Sequence, residues 1–131
     1  MSRKVRQLII EIPSALPPEL SPNARVHWAV KMRASQQLRD TAYYCAYNRL
    51  PANWEPLSKA SVSITIVVPD RRFITDSDNT LPRVKPAIDA AVSAGVLVDD
   101  APEHLSYKPI NWEIDKRQAP LIILTFRERD S

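Results

Sequence analysis

The sequence predicts an α+β fold in which two helices pack on a mixed, mainly antiparallel sheet of about four strands. Two segments in which apolar and polar residues alternate predict strands, because successive side chains of a strand point to opposite faces of its sheet. Two longer segments repeat apolar residues at helical spacing. The predicted order is β-α-β-α-β-β, and a chain of 131 residues fits a single domain over residues 1–131.

The first half of the chain predicts a strand, a proline-rich loop and a long helix. Alternating apolar residues predict the first strand over residues 5–12. Prolines between residues 13 and 22 exclude a long helix there. Residues 23–27 lead into a helix that is predicted to end at about Arg49. We expect its buried stripe to comprise Ala34, Leu38, Ala42, Cys45 and Ala46.

The second half contains three further strand signals. Residues 62–68 alternate clearly, although Val67 breaks the pattern near the end. A strand over residues 110–114 follows Pro109, which suggests an edge position because proline has no backbone donor. The last strand is predicted over residues 121–126, and its nearly continuous apolar run suggests burial on both faces.

The second helix lies between these strands and contains the chain's only glycine at its end. Its apolar stripe is predicted to comprise Val84, Ala87, Ile88, Ala91 and Val92. Gly95 stands where a left-handed residue ends a helix. Pro86 does not suit a helix interior, so the helix either begins near Pro86 or is kinked there. Residues 96–98 are predicted to cross back in extended form.

Four aspartates flank the second helix and form the main candidate site. If the segment before the helix is extended, Asp76 and Asp78 point the same way, and the chain delivers Asp99 and Asp100 after the helix. Converging carboxylates repel one another unless a cation lies between them, and oxygen ligands suit Mg²⁺ or Mn²⁺. The alternative is that Asp78 or Asn79 only caps the helix and that the later pair is a solvated turn.

Residue types at two fixed positions argue against a calcium-binding loop. Counted from Asp76, Leu81 stands where such a loop requires glycine, and Ala87 stands where it requires glutamate.

Basic residues are concentrated on the first helix and beside the acidic segment. Between residues 21 and 49 there are five basic residues and one acid, with tyrosines interleaved. Arg71 and Arg72 add positive charge before Asp76. A basic stripe beside carboxylates suits a protein that attracts phosphates, and the alternative is a solvated helix face. His27 either lies near the candidate site or packs and caps locally.

The remaining composition excludes several classes of protein. The net charge is +3, and the single cysteine, Cys45, excludes an internal disulfide. No cysteine and histidine cluster offers a zinc site. Neither a signal peptide nor a long apolar run occurs, so we expect no membrane association and an intracellular protein.

Three sequence features together resemble a known family. The run D-S-D-N at residues 76–79, Lys85 four residues before Asp89, and A-G-V-L-V-D-D at residues 94–100 are similar to the RusA family of Holliday-junction resolvases. A weaker similarity lies at S-P-N-A-R-V-H-W, residues 21–28. This sequence departs from the family's best-known form in having more residues between Asn79 and Lys85.

The resemblance implies roles for particular residues. The catalytic, metal-binding carboxylates would be Asp76, Asp78 and Asp100, and the catalytic lysine would be Lys85. Asp99 and Asp100 are adjacent, so their side chains diverge in an extended segment and only one should bind metal. The predicted DNA-binding residues are Arg25, His27, Lys31, Arg33, Arg39, Arg71, Arg72 and Arg83.

The resemblance also implies a RusA-like fold and a specific activity. The expected protein is a Mg²⁺-dependent endonuclease, with Mn²⁺ able to substitute, that resolves four-way junction DNA by paired symmetric nicks in recombination and repair. A homodimer in the cytoplasm of a bacterial or phage-infected cell is expected. Candidate dimer contacts are an exposed strand edge, or aromatic residues that a small domain does not fully bury, such as Tyr43, Tyr47, Trp54 and Trp112.

Two other functions fit the sequence less well. A catalytically inactive junction-binding protein would keep the basic face but would not require the aspartates and Lys85. A phosphohydrolase acting on small phosphoesters would use the carboxylates but leave the basic helix without a role.

Overall fold

The structure, a computed structural model, describes residues 5–130. The described elements are, in chain order, β1 (Gln7–Ile12), α1 (Trp28–Arg49), β2 (Ala60–Val68), α2 (Ser77–Ala94), β3 (Leu105–Tyr107), β4 (Asn111–Ile114) and β5 (Leu121–Glu128). Short 3-10 turns cover Pro18–Leu20 and Arg71–Phe73.

The strands form one mixed sheet in which β5 lies between β1 and β2. Both pairings of β5 are antiparallel. The strands β3 and β4 lie parallel to the two halves of β2, with Ala60 opposite Leu105 and Val68 opposite Ile114. The predicted α+β class is therefore confirmed, with five strands in the described chain instead of about four. The additional strand is β3, whose three residues are too few to show an alternating pattern.

The core lies between the helices and one face of this sheet. Ile12, Ile64 and Phe126 are almost completely buried, as are their neighbours on the same face. Each such side chain contributes about 1.5–3 kcal/mol by leaving water. The prediction that β5 is buried on both faces is wrong, because burial alternates along the strand. Its apolar run instead reflects a central strand whose second face is half-buried among the side chains of neighbouring strands.

The long helix α1 packs against α2 and β1. Four residues of its predicted stripe are buried: Ala34, Leu38, Ala42 and Ala46. The fifth, Cys45, is half-buried and packs at the edge of the core. Burial raises the pKa of its thiol. Small alanines on this face allow the helix to approach its neighbours closely, which explains why a helix of low overall hydrophobicity is still anchored.

The helix α2 begins at Ser77 and therefore includes both Pro82 and Pro86. A helix start at Pro86 is thus excluded. Each proline removes one hydrogen bond along the helix, a cost that tertiary burial must offset. Val84 and Ile88 lie in the core on either side of Pro86, which is itself buried. Packing therefore explains why the helix passes through residues that disfavour it locally.

The end of α2 fixes the chain that follows it. Gly95 has φ of 96°, the left-handed conformation predicted for it, and its backbone N–H bonds to the last turn of the helix. The segment after it is pinned to Leu57, whose N–H donates to Val96 at 2.9 Å and whose carbonyl accepts from Val98 at 2.9 Å. These contacts place Asp100 beside the helix. In the described part of the chain, neither helix has the length and apolar character needed to cross a membrane.

Candidate active site

The start of α2 is built by Asp76, which is the N-cap of the helix. Its Oδ1 accepts hydrogen bonds from the backbone N–H and from Nδ2 of Asn79, each at 2.9 Å. Buried Thr80 closes the same turn, because its hydroxyl bonds to Thr75 and to the carbonyl of Asp76. A carboxylate here is favoured both by the free N–H groups and by the positive end of the helix dipole.

This geometry corrects one step of the sequence interpretation. The extended segment predicted for Asp76 to Asp78 is wrong, because the helix has already begun at Ser77. The alternative, in which a residue of this run caps the helix, is correct. The capping residue is Asp76, however, and not Asp78 or Asn79. Asp78 instead lies exposed in the first helical turn.

A second cluster lies further along the same helix. The Lys85 ammonium donates to Oδ1 of Asp89 at 2.9 Å and also contacts the carboxylate of Asp100. Asp99 does not contribute to this cluster in the same way, since its Oδ1 accepts from the backbone N–H of Asp100 at 2.8 Å. The structure therefore brings together Lys85 and Asp100 among the predicted site residues, and it adds Asp89 to them.

The two clusters share one face of α2. Asp78 and Lys85 are seven residues apart, which is almost two turns and about 10 Å along the axis. Within residues 5–130, no three His, Cys, Asp or Glu side chains lie close enough together to hold one metal ion. On donor chemistry the carboxylates fit Mg²⁺, which prefers oxygen ligands. The carboxylates form two groups, with Asp76 and Asp78 at the start of the helix and Asp100 beside Lys85.

Asn23 links this helix to the loop before α1 and is not among the site residues predicted from the sequence. Its Nδ2 donates to Oδ1 of Asn79 at 3.2 Å, one residue away from Asp78. Asn23 belongs to the S-P-N-A-R stretch of weaker family similarity, which was the one signal that could have identified it. This bond ties the loop that precedes the basic helix to the acidic start of α2.

The predicted DNA-binding residues of α1, and of the loop before it, have different environments. His27 caps α1 through Nδ1, which accepts from the Ala29 N–H at 3.1 Å. Arg25 and Arg33 are exposed. Lys31 and Arg39 are half-buried, and Arg39 donates to Oε1 of Gln36 at 3.1 Å. Arg25 and Arg33 are thus the most available cations of this set.

The arginines near α2 also differ. Arg71 and Arg72 are both exposed, and Arg72 also pairs with Asp70 at 3.1 Å and lies over the Phe73 ring. Arg83 donates to the carbonyls of Pro17 and Leu16 at 3.0 and 2.8 Å. Burial lowers the pKa of this guanidinium, and the Glu19 carboxylate opposes that shift. Arg83 therefore anchors the proline-rich loop against α2.

The aromatic residues considered for a dimer contact fall into two pairs. Tyr43 and Tyr47 stack on the exposed side of α1, with ring centroids 6.1 Å apart. Trp54 and Trp112 are half-buried and pack against the core. Of these four aromatic residues, only Tyr43 and Tyr47 are exposed.

The fold and the site define a small α+β protein in which one helix carries carboxylates at its start. Further along, the same helix carries a lysine that contacts one carboxylate of the helix and one of the segment after it. No known protein-family model matches the chain. A protein of Xylella fastidiosa named "Uncharacterized protein" is 32% identical over 127 residues, a match that covers 94% of this chain and 76% of that relative. The chain belongs to the same family as this Xylella protein.

Proposed function

We propose that this protein is a Mg²⁺-dependent, structure-selective endonuclease that resolves Holliday junctions by paired symmetric nicks in DNA recombination and repair. The observation that carries the proposal is the contact of Lys85 with Asp100. Lys85 lies on the same helix whose start carries Asp76 and Asp78. A cation placed beside carboxylates and next to a basic helix suits phosphodiester chemistry, in which negative charge develops on the phosphate.

One or two Mg²⁺ ions, or Mn²⁺ in their place, would be held by the two groups of carboxylates, with Asp76 and Asp78 in one group and Asp100 in the other. The bound ion would supply an activated water and neutralise charge on the phosphate oxygens. Lys85 would contribute a fixed positive charge toward the phosphate, which its three N–H donors suit. The capping bond of Asp76 uses Oδ1 and leaves its second oxygen for a ligand.

The DNA itself would contact the basic residues of α1 and of the turn before α2. Arg25, Arg33 and Arg71 are exposed and would carry the positive charge that contacts the phosphates. Such contacts provide affinity for the phosphate backbone without reading sequence. Recognition of a four-way junction would then depend on two copies of the chain, because paired nicks require two active centres related by a two-fold axis. We place this homodimer in the cytoplasm of a bacterial or phage-infected cell.

The second candidate is a junction-binding protein without catalysis. It is favoured by the separation of the carboxylates into two groups, and by the pairing of Asp100 with a lysine instead of with other acids. Both candidates bind junctions, so only cleavage distinguishes them.

The deciding experiment compares a four-way junction, a linear duplex and a small phosphodiester as substrates, with Mg²⁺ and with excess chelator. We expect Mg²⁺-dependent cleavage of the junction alone. The variant Asp78→Asn should abolish this cleavage while binding survives, because it removes a ligand charge but no basic residue. Glu113→Gln is the matched control, since Glu113 is an exposed carboxylate on β4. Junction binding without cleavage by the wild-type chain would establish the second candidate instead.

A further inference from the structure

Lys85 is held by two carboxylates that belong to different parts of the chain. Asp89 lies one turn further along α2, and its Oδ1 is 2.9 Å from the lysine Nζ. Asp100 lies in the segment after the helix and contacts the same ammonium. About half of the Lys85 side chain, 48%, is exposed to solvent. Its position therefore depends on these contacts and not on enclosure by the core.

A lysine side chain cannot fix its own charge in space. Its four-carbon stem is flexible, and an exposed ammonium samples many positions unless a partner restrains it. The two partners restrain it differently. Asp100 moves with the segment after Gly95, whereas Asp89 is on the same rigid helix as Lys85 and keeps its distance whatever that segment does.

Asp89 also faces a second element of the fold. Tyr107 on β3 is 40% exposed, and the pKa of its phenol is raised by burial and by the negative charge of Asp89. The Asp89 carboxylate is thus near enough to β3 to influence the Tyr107 phenol.

We propose that Asp89 is a positioning residue. It keeps the Lys85 ammonium at the site when the Asp100 carboxylate binds a metal ion and no longer holds the lysine. The inference rests on the proposed function and extends it, because it assigns a role to a carboxylate outside the set of Asp76, Asp78 and Asp100. A purely structural role would differ in its effects, since an exposed helical ion pair would influence folding slightly and turnover not at all.

The kinetic test uses Asp89→Asn, Asp89→Glu and the control Glu113→Gln in the full chain. Asp89→Asn is expected to lower kcat for junction cleavage by about 10- to 100-fold with little change in KM, because misplacing a reacting group affects the transition state. Asp89→Glu keeps a carboxylate at the same helical spacing and should recover most of kcat. Glu113→Gln makes an equal change in charge and should leave kcat unchanged. Circular dichroism would verify that each variant is folded.

A second readout is independent of cleavage. The rate at which an amine-acetylating reagent modifies Lys85 is measured by mass spectrometry in metal-free protein, with exposed Lys108 as the internal reference. Loss of the helical ion pair in Asp89→Asn should raise the Lys85 rate about twofold relative to Lys108. The rate in Glu113→Gln should match that of the wild type.

The outcomes separate this inference from the proposed function. If the wild type cleaves junctions but Asp89→Asn keeps both its kcat and its Lys85 labelling rate, Asp89 has no positioning role and the endonuclease proposal survives. A faster labelling rate with an unchanged kcat would also overturn the inference, since the restraint would then be irrelevant to turnover. Failure of the wild type to cleave any junction would refute the proposed function and the catalytic role of Asp89 with it.

Discussion

Replacement of Gly95 tests the connection between the helix and Asp100. Gly95 has φ of 96° and ends α2, and the N–H of Val96 bonds back to the carbonyl of Ala91 at 3.0 Å. Apart from its own chain neighbours, a Cβ added at Gly95 would meet no heavy atom within 4 Å. Overlap with residues packed around Gly95 therefore makes no contribution, and any loss of stability in Gly95→Ala must come from the local backbone conformation.

The expected loss of stability in Gly95→Ala is therefore the cost of the left-handed backbone alone. A left-handed backbone costs an L-amino acid other than glycine about 1–2 kcal/mol. We therefore expect Gly95→Ala to lower the free energy of unfolding by about 1–2 kcal/mol, and the melting temperature by about 3–8 °C for a chain of this size. Gly95→Asn should lose less, since asparagine tolerates this conformation, and Gly95→Val should lose most because β-branched side chains resist it.

Chemical denaturation with urea provides the measurement, with Ser93→Ala as a control on the exposed side of the same helix. The order of stability should be Gly, Asn, Ala, Val. Equal stabilities for the alanine and asparagine variants, or a loss below about 0.5 kcal/mol for alanine, would refute the left-handed end of the helix. A loss of unfolding free energy in Gly95→Ala far above about 2 kcal/mol would show that other residues pack against this position, contrary to the open space in the structure.

Two further predictions concern the DNA interface and the oligomeric state. Replacing Arg33 or Arg39 by alanine should weaken junction binding and reduce the slope of log K against log salt by about one unit for each phosphate that the variant no longer binds, as measured by fluorescence anisotropy at several salt concentrations. An unchanged slope in both variants would identify the basic side of α1 as a solvated face. Sedimentation equilibrium at micromolar concentration should show a dimer, with or without junction DNA. A strict monomer under both conditions would contradict resolution by paired nicks.

The sequence predicted the fold class because its strongest signals are periodic. The alternation in β1 and β2 and the alanine-rich stripe of α1 each repeat several times, so single exceptions do not hide them. It failed for β3, whose three residues contain no repeat and pair with β2 through the parallel register of Leu105 with Ala60. It also left the start of α2 open, because local preference at Pro86 disfavours a helix that tertiary packing of Val84 and its neighbours stabilises.

The candidate site was predicted in its residue types but not in its geometry. A D-x-D-N run is compatible with an extended segment and with the start of a helix. The helix start is favoured only because Asp76 can accept hydrogen bonds from the free N–H groups at the N-terminus of the helix. The contact of Lys85 with Asp100 depends on the turn at Gly95 and on the pairing of residues 96–98 with Leu57, which are distant in sequence. The anchoring role of Arg83 similarly depends on a loop far from it along the chain.

Capping and metal binding by Asp76 are compatible roles, and two substitutions separate them. In Asp76→Asn the side-chain oxygen can still accept from the Asn79 N–H, so the loss of stability should stay below about 1 kcal/mol and reflect mainly the charge near the helix dipole. Asp76→Ala removes the cap itself and should cost about 1–2 kcal/mol. If Asp76 also binds a metal ion, both variants lose junction cleavage although only the second loses the cap. Urea denaturation and junction cleavage measured on the same preparations decide the question: cleavage by Asp76→Asn at the wild-type rate would leave Asp76 with the capping role alone.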